Sequence, residues 1–345
     1  MHDPPRTSEA LLMRHTGRLE GQQVLCTSLG RAQFAAEYVQ RHPSAKIVCN
    51  FLDMHLAELA KDAVREHPQI EITCDSDFAA GPFDVAAILC SMQGDAELTH
   101  ELLQTAYERL AIGGQLATAT DNANDRWLHD EMHKLFDKVT RIEEPNGIIY
   151  LAHKKHELRK RKHFECEFTF REGERLLKLI SRPGVFSHRR LDVGARALIE
   201  AMEVRPGERV FEIGCGSGGV SIAAAVRADG VQVEAVDSNP RAVECTSRSA
   251  GLNGLTSITA NLNATAACTA PGSFDVALAN PPYYSQHRLA AIFVEGAYRA
   301  LHERGRLYLV TKHPDWYEAE LPKLFRDLRL LPARGYVVLE CIGKR

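Results

Sequence analysis

The chain has 345 residues, 45% of them hydrophobic and 25% charged, so two globular domains with real cores are expected and a stapled mini-protein, a fibre or a disordered chain is excluded. No apolar run reaches about 18 residues, and Met1-His2-Asp3-Pro4-Pro5 lacks the basic-then-apolar layout of a signal peptide, so no membrane span is expected and the cytoplasm is the expected location. The formal charge of −3 hides a gradient: residues 1–150 hold 13 Lys+Arg against 23 Asp+Glu, residues 151–190 hold 12 against 5, and residues 191–345 hold 17 of each.

From Gln22 the chain alternates. A strand at Val24-Leu25-Cys26-Thr27 precedes a helix over 32–41 and a strand at Ile47-Val48-Cys49-Asn50 that ends near Asp53. A helix over 56–66, short strands at 70–73 and 83–90, a helix over 96–110, a Gly113-Gly114 stop and a strand over 115–120 follow. Strands separated by helices predict a parallel sheet with right-handed crossovers. The order then repeats, with strands at 209–213, 231–236, 274–278 and 307–311. "FDVAAILC" at Phe83 and "FDVALANP" at Phe274 are each followed by a helix and then by "GGQLATAT" or "RGRLYLVT". The reading is one α/β fold used twice: domains over 1–152 and 191–345, joined by a basic linker and lead-in over 153–190. The Lys154 to Lys162 stretch in that linker is a candidate phosphate contact, or else simply solvated. The nine cysteines form no C-x-x-C pair, and those in apolar runs, such as Cys26, Cys49 and Cys90, read as small hydrophobes with no metal to bind.

Chemistry gathers in the second half. In "VFEIGCGSGGVSIAAAV" Glu212 ends a strand, and Gly214, Gly216, Gly218 and Gly219 form the turn before a helix, where backbone must bend and a ligand must approach without a Cβ in the way. Gly214, Gly216 and Gly219 also satisfy G-x-G-x-x-G, so a dinucleotide remains open. Asp237, some twenty residues on, ends the next strand where a carboxylate can accept from ribose hydroxyls, which suits either adenosine-containing cofactor. Asn280-Pro281-Pro282-Tyr283 follows a later strand and so falls at the carboxyl edge of the sheet. An exocyclic amine is a poor nucleophile because its lone pair is delocalised. The Asn280 side-chain oxygen and the Pro281 carbonyl can accept its two hydrogens, the prolines hold the turn rigid, and Tyr283 offers a face for a planar base. Nothing in hydride transfer needs this set. Methyl transfer from S-adenosyl-L-methionine to such an amine fits it, because an in-line displacement needs mainly alignment.

On these motifs the second half resembles class I S-adenosylmethionine-dependent methyltransferases of the "small" type. With "SEALLMRH", "RPGVFSHRRLDVGARALIEAM" and "NPPYYSQH", the whole chain resembles the two-domain bacterial ribosomal RNA guanine-N2 methyltransferases. The resemblance implies two tandem Rossmann-like domains, the N-terminal one degenerate and the C-terminal one catalytic. It implies that Glu212, Gly214, Gly216 and Gly218 shape the methionine and ribose pocket, that Asp237 holds the ribose, and that Asn261 lies near the adenine edge. Phe186 and Asp192 would close over the cofactor. His287 is a candidate substrate contact, or a loop histidine that is merely exposed. In the first half Thr27-Ser28-Leu29-Gly30-Arg31 stands where the glycine turn should be and Cys90-Ser91-Met92-Gln93 where Asn-Pro-Pro-Tyr should be, so no cofactor is expected there. The implied partner is ribosomal RNA in a subunit or assembly intermediate, with a monomer plausible and no membrane involved. Glutamine-N5 or adenine-N6 methylation, a non-catalytic RNA-binding role and a nicotinamide-dependent dehydrogenase are the other readings.

Overall fold

Each half begins its sheet with an apolar run that has no polar face, as expected for a strand covered on both sides. In a computed structural model describing residues 4–91, 94–282 and 287–345, these runs become the buried strands β1 (Gln23–Thr27) and β10 (Arg209–Ile213). The chain divides into two units, Met1–Phe164 and Glu165–Arg345.

The first unit runs α1 (Thr7–Arg14), β1, α2 (Gln33–Arg41), β2 (Lys46–Asn50), α3 (Met54–Ala63), β3 (Ile70–Thr73), β4 (Phe83–Leu89), α4 (Ala96–Arg109), β5 (Leu110–Thr120), α5 (Trp127–Leu135), β6 (Val139–Glu144) and β7 (Gly147–His153). Its seven strands are ordered β3-β2-β1-β4-β5-β7-β6. Helix starts are set by side chains that satisfy the first backbone donors: Asp53 accepts from Leu56 N at 2.9 Å, and Asp95 from Glu97 N at 2.9 Å and Leu98 N at 3.1 Å. Period-two alternation along β4 sends Val85, Ala87 and Leu89 into one core layer and Ala86 and Ile88 into the other, which Phe83 joins because the register shifts between Phe83 and Val85.

The second unit runs β8 (Cys166–Glu172), β9 (Arg175–Ser181), α6 (Val193–Ala201), β10, α7 (Gly219–Arg227), β11 (Gln232–Asp237), α8 (Pro240–Leu252), β12 (Ile258–Leu262), β13 (Phe274–Ala279), α9 (Arg288–Ala300), β14 (Leu301–Thr311), α10 (Asp315–Leu324), β15 (Phe325–Ala333) and β16 (Tyr336–Lys344). The order β12-β11-β10-β13-β14-β16-β15 repeats that of the first unit strand for strand. Val210 and Phe211 face opposite core layers. Phe211 keeps no exposed surface, and its removal from water is worth roughly 2–3 kcal/mol.

Two expectations change. The sheets are mixed rather than parallel: β7 is antiparallel to β5 and β6, and β16 to β14 and β15. The chain returns through tight hairpins instead of crossover helices. At Arg334-Gly335, φ is 53° and 78°, the double positive pair that matches strand twist in a two-residue turn. The 153–190 stretch is also not a free linker. Lys154 is 1% exposed, its Nζ donating to Leu110 O and Glu157 Oε2, each at 2.9 Å. Arg161 pairs with Glu108 at 2.5 Å, and Phe164 is buried against His100. These residues close the first unit because the last carbonyls of α4 and its connection need a cationic donor. Beyond them β8 and β9 form a hairpin on α8, where Ser249 Oγ accepts from Ile180 N at 2.8 Å and Asn253 accepts from Lys178 N and donates to Lys178 O. Among the described residues no helix is long and apolar enough to cross a membrane.

Candidate active site

Strand register assembles the second unit's candidate residues. Ile213 pairs with Val236 on one side and Ala279 on the other, and Val236 pairs with Asn261. The residues that leave the strands next, Gly214, Asp237 and Asn280, therefore stand side by side at the carboxyl edge with Asn261 on the flank, strands being about 4.8 Å apart.

Three of the turn's glycines adopt positive φ, 78°, 54° and 86° at Gly214, Gly216 and Gly218, a region costly for any residue with a Cβ. Their surroundings differ. A Cβ at Gly214 would meet the Phe293 ring at 3.1 Å and one at Gly218 would meet Thr246 at 3.0 Å, whereas one at Gly216 would meet nothing within 4 Å. The outer glycines admit packing; the middle one leaves an open face. Gly216 N donates to Asp237 Oδ2 at 3.0 Å, and Asn239 N to Asp237 Oδ1 at 2.9 Å. The carboxylate thus ties the glycine turn to the start of α8, where Asn239 caps by accepting from Arg241 N at 2.9 Å and Pro240 takes the first turn.

Glu212 is buried, and its carboxyl accepts from the Ser221 hydroxyl of α7. Burial pushes its pKa up to about 8, against the Ser221 bonds that favour ionisation, with Asp237 adding to the rise. Its side chain joins β10 to α7 beneath the glycine turn. Phe186 is 63% exposed on the loop between β9 and α6. Arg241 donates to Pro183 O and Asn239 Nδ2 to Gly184 O, each at 2.8 Å, holding this loop at the start of α8, next to Asp237.

Asn280 Nδ2 donates to Asp192 Oδ2 at 3.1 Å, and the same carboxylate oxygen accepts from Ala195 N at 3.0 Å as the cap of α6. Asp192, expected over the cofactor, is thus found bonded to the amide-bearing residue. Pro281 is buried and Pro282 half-buried. Tyr283 lies outside the described residues, as do Met92 and Gln93. His287 has φ of 66° and stacks on Trp316, ring centroids 5.1 Å apart.

Two residues escaped the sequence reading. Gly194, in the first turn of α6, lies where a Cβ would meet Asp192 Oδ2 at 2.8 Å, the Tyr336 ring at 3.1 Å and Asn280 Oδ1 at 3.2 Å. Tyr336, the first residue of β16, has Lys312 Nζ over its ring at 4.9 Å. The Asp-Val-Gly spacing at 192–194 was a usable signal for the first; a single aromatic after a hairpin turn was none for the second.

A family model described as methyltransferase small domain matches residues 176–340. The ribosomal RNA small subunit methyltransferase C of Pseudoalteromonas atlantica is 30% identical over 158 residues, 45% of this chain and 46% of that one, so the match spans about half of either chain. The protein of the same name from Pseudoalteromonas translucida is 23% identical over 90% of this chain and 92% of its own. Among solved structures, a 16S rRNA N2 methyltransferase of T. thermophilus, in complex with AdoMet and guanosine, superposes with a TM-score of 0.81 at 21% identity, covering 99% of this chain and 92% of that one; that likeness is one of fold. Residues 176–340 therefore resemble the methyltransferase small domain, and the chain shares the two-domain α/β fold of that solved structure.

Proposed function

We propose that this chain is an S-adenosyl-L-methionine-dependent methyltransferase acting on the exocyclic N2 amine of a guanine in ribosomal RNA, with the second unit catalytic. The observation that carries this reading is a fixed carboxamide, Asn280, just past the end of the strand beside an open glycine turn. The turn fits the cofactor: Gly216 presents backbone with no side chain in the way, and Asp237 stands beside it. When bound, S-adenosyl-L-methionine supplies an electrophilic methyl carbon on a sulfonium. Gly214, Gly216, Gly218 and the Glu212 strand end shape the pocket, Asp237 holds the ribose, Asn261 meets the adenine edge, and Phe186 covers the ligand.

Asn280 Oδ1 and the Pro281 carbonyl accept the two amine hydrogens, so the nitrogen lone pair turns toward the cofactor side. Pro282 stiffens the turn and Tyr283 supplies the stacking face. No acid or base is required for the displacement itself, since alignment lowers the barrier. The guanine must leave its stack to enter, which favours an accessible region of RNA in a subunit or assembly intermediate, in the cytoplasm. The exposed cations Lys155, Arg159, Lys160 and Lys162 are available to phosphates, whereas Lys154 is committed to the fold.

The test is mass-spectrometric mapping of N2-methylguanine in ribosomal RNA from a deletion strain, with purified protein offered both ribosomal subunits and release factors. Loss of one N2-methylguanine, restored in vitro on one subunit, supports the reading. Methylation of a release-factor glutamine, or of adenine, refutes it.

A further inference from the structure

A carboxamide has two ends of nearly equal shape and opposite hydrogen-bonding sense, so Asn280 serves an amine only in the rotamer that offers oxygen. Turned over, it would present an N–H pair to the substrate N–H pair, and the nitrogen would be repelled as it gains positive charge. Something in the protein must set the orientation.

We infer that Asp192 is the positioning residue that holds the Asn280 carboxamide with its oxygen toward the substrate amine. This rests on the proposed function above and assigns Asp192 to the amine side of the site instead of the cofactor side. A carboxylate only accepts, so the Asn280 Nδ2 bond to Asp192 Oδ2 at 3.1 Å is satisfied in one orientation alone. The flipped amide would set Oδ1 against Oδ2, two acceptors with no hydrogen between them.

Asp192 is itself fixed. Its Oδ2 accepts from Ala195 N at 3.0 Å, at a helix N-terminus where the aligned peptide dipoles favour negative charge. One oxygen therefore links the start of α6 to the end of β13, residues 88 apart in sequence. Gly194 makes the approach possible, because a Cβ there would lie 2.8 Å from Asp192 Oδ2 and 3.2 Å from Asn280 Oδ1, too close for both to stay. The donation from Nδ2 to a charged acceptor also polarises the amide, raising electron density on Oδ1.

The test uses the full-length protein with isotopically labelled asparagine side chains, the Asn280 amide signal being identified by its loss in Asn280→Ala. Asp192→Asn keeps the cap oxygen but removes the acceptor-only character. The expected result is a kcat on the ribosomal subunit lowered about 100-fold, S-adenosylhomocysteine affinity within about threefold of wild type, and a displaced, faster-exchanging Asn280 amide signal. Gly194→Ala leaves the carboxylate in place but displaces the pair, and is expected to lower kcat about tenfold with the same affinity pattern; it decides the matter if Asp192→Asn does not fold. Wild-type kcat in both variants, or cofactor affinity falling in proportion to kcat, overturns the inference. If the wild-type protein methylates neither subunit, the proposed function fails, and the amide signal alone judges the pair: an Asn280 amide unmoved by Asp192→Asn overturns it, a displaced one upholds it.

Discussion

The turn after β1 and the turn after β10 occupy equivalent places in two sheets of identical strand order, yet one is filled from within and the other is open. In the first unit α1 sends in Glu9, whose buried carboxylate accepts from Ser28 Oγ at 2.9 Å and Phe34 N at 3.1 Å. Ser28 Oγ in turn accepts from Gly30 N and Ala32 N, each at 3.0 Å. An acidic side chain thus sits where a helix N-terminus would otherwise bind a ligand's polar groups. In the second unit the turn has three positive-φ glycines and an unobstructed face at Gly216. The difference teaches that one topology can carry either an open turn or a turn whose backbone donors are met by the chain's own side chains.

Four substitutions break or sharpen that contrast, in falling order of effect. Asn280→Ala should lower methyl transfer about 1000-fold, some 4 kcal/mol in the barrier, while calorimetry finds S-adenosylhomocysteine affinity nearly unchanged; equal loss of both would place Asn280 with the cofactor. Asp237→Ala should weaken that affinity about 50-fold, near 2.3 kcal/mol, since it removes the group that ties the glycine turn to α8. Unchanged affinity would end its ribose assignment. Glu9→Ala should cost the first unit roughly 2 kcal/mol by stranding buried donors, read as a lower denaturation midpoint, with binding stoichiometry still one per chain. A second binding event in that variant would mean that the internal carboxylate alone keeps a ligand from the first unit's turn.

The last effect, smallest per pH unit, concerns Glu212. Its proton is held to about pH 8 in the folded chain but released near 4.5, the ordinary glutamate value, when unfolded. The native state therefore binds more protons across that window, and stability falls as pH rises through it, by up to about 1.4 kcal/mol per unit. Glu212→Gln has no proton to lose, so its urea midpoint should fall less than that of the wild type between about pH 5 and about pH 9. Parallel curves would show that Glu212 is already ionised in the native protein.

What the amino-acid order made legible follows from periodicity and from backbone chemistry. β1, β10 and β13 stood out because strands buried on both faces are unbroken apolar runs, and the glycine turn because few residues tolerate its φ values. The antiparallel edges β6–β7 and β15–β16 did not, since their outer strands alternate polar and apolar residues like ordinary surface segments. Lys154 read as part of a charged strip because nothing local marks a lysine whose acceptor is the carbonyl of Leu110, 44 residues away. The Asp192 to Asn280 bond was likewise hidden: register and helix capping bring the two together, and neither leaves a mark at the other's position.

Asn280, assigned by the proposed function to the substrate amine, and Asn239, which caps α8, have one thing in common: each is followed by proline. Spontaneous deamidation proceeds through ring closure by the backbone nitrogen of the next residue, and a proline nitrogen carries no hydrogen with which to complete it. Asn146 and Asn253, each followed by glycine, have no such protection. Ageing of the polypeptide should therefore put carboxylates into a hairpin turn and a helix end long before it touches the carboxamides of Asn239 and Asn280.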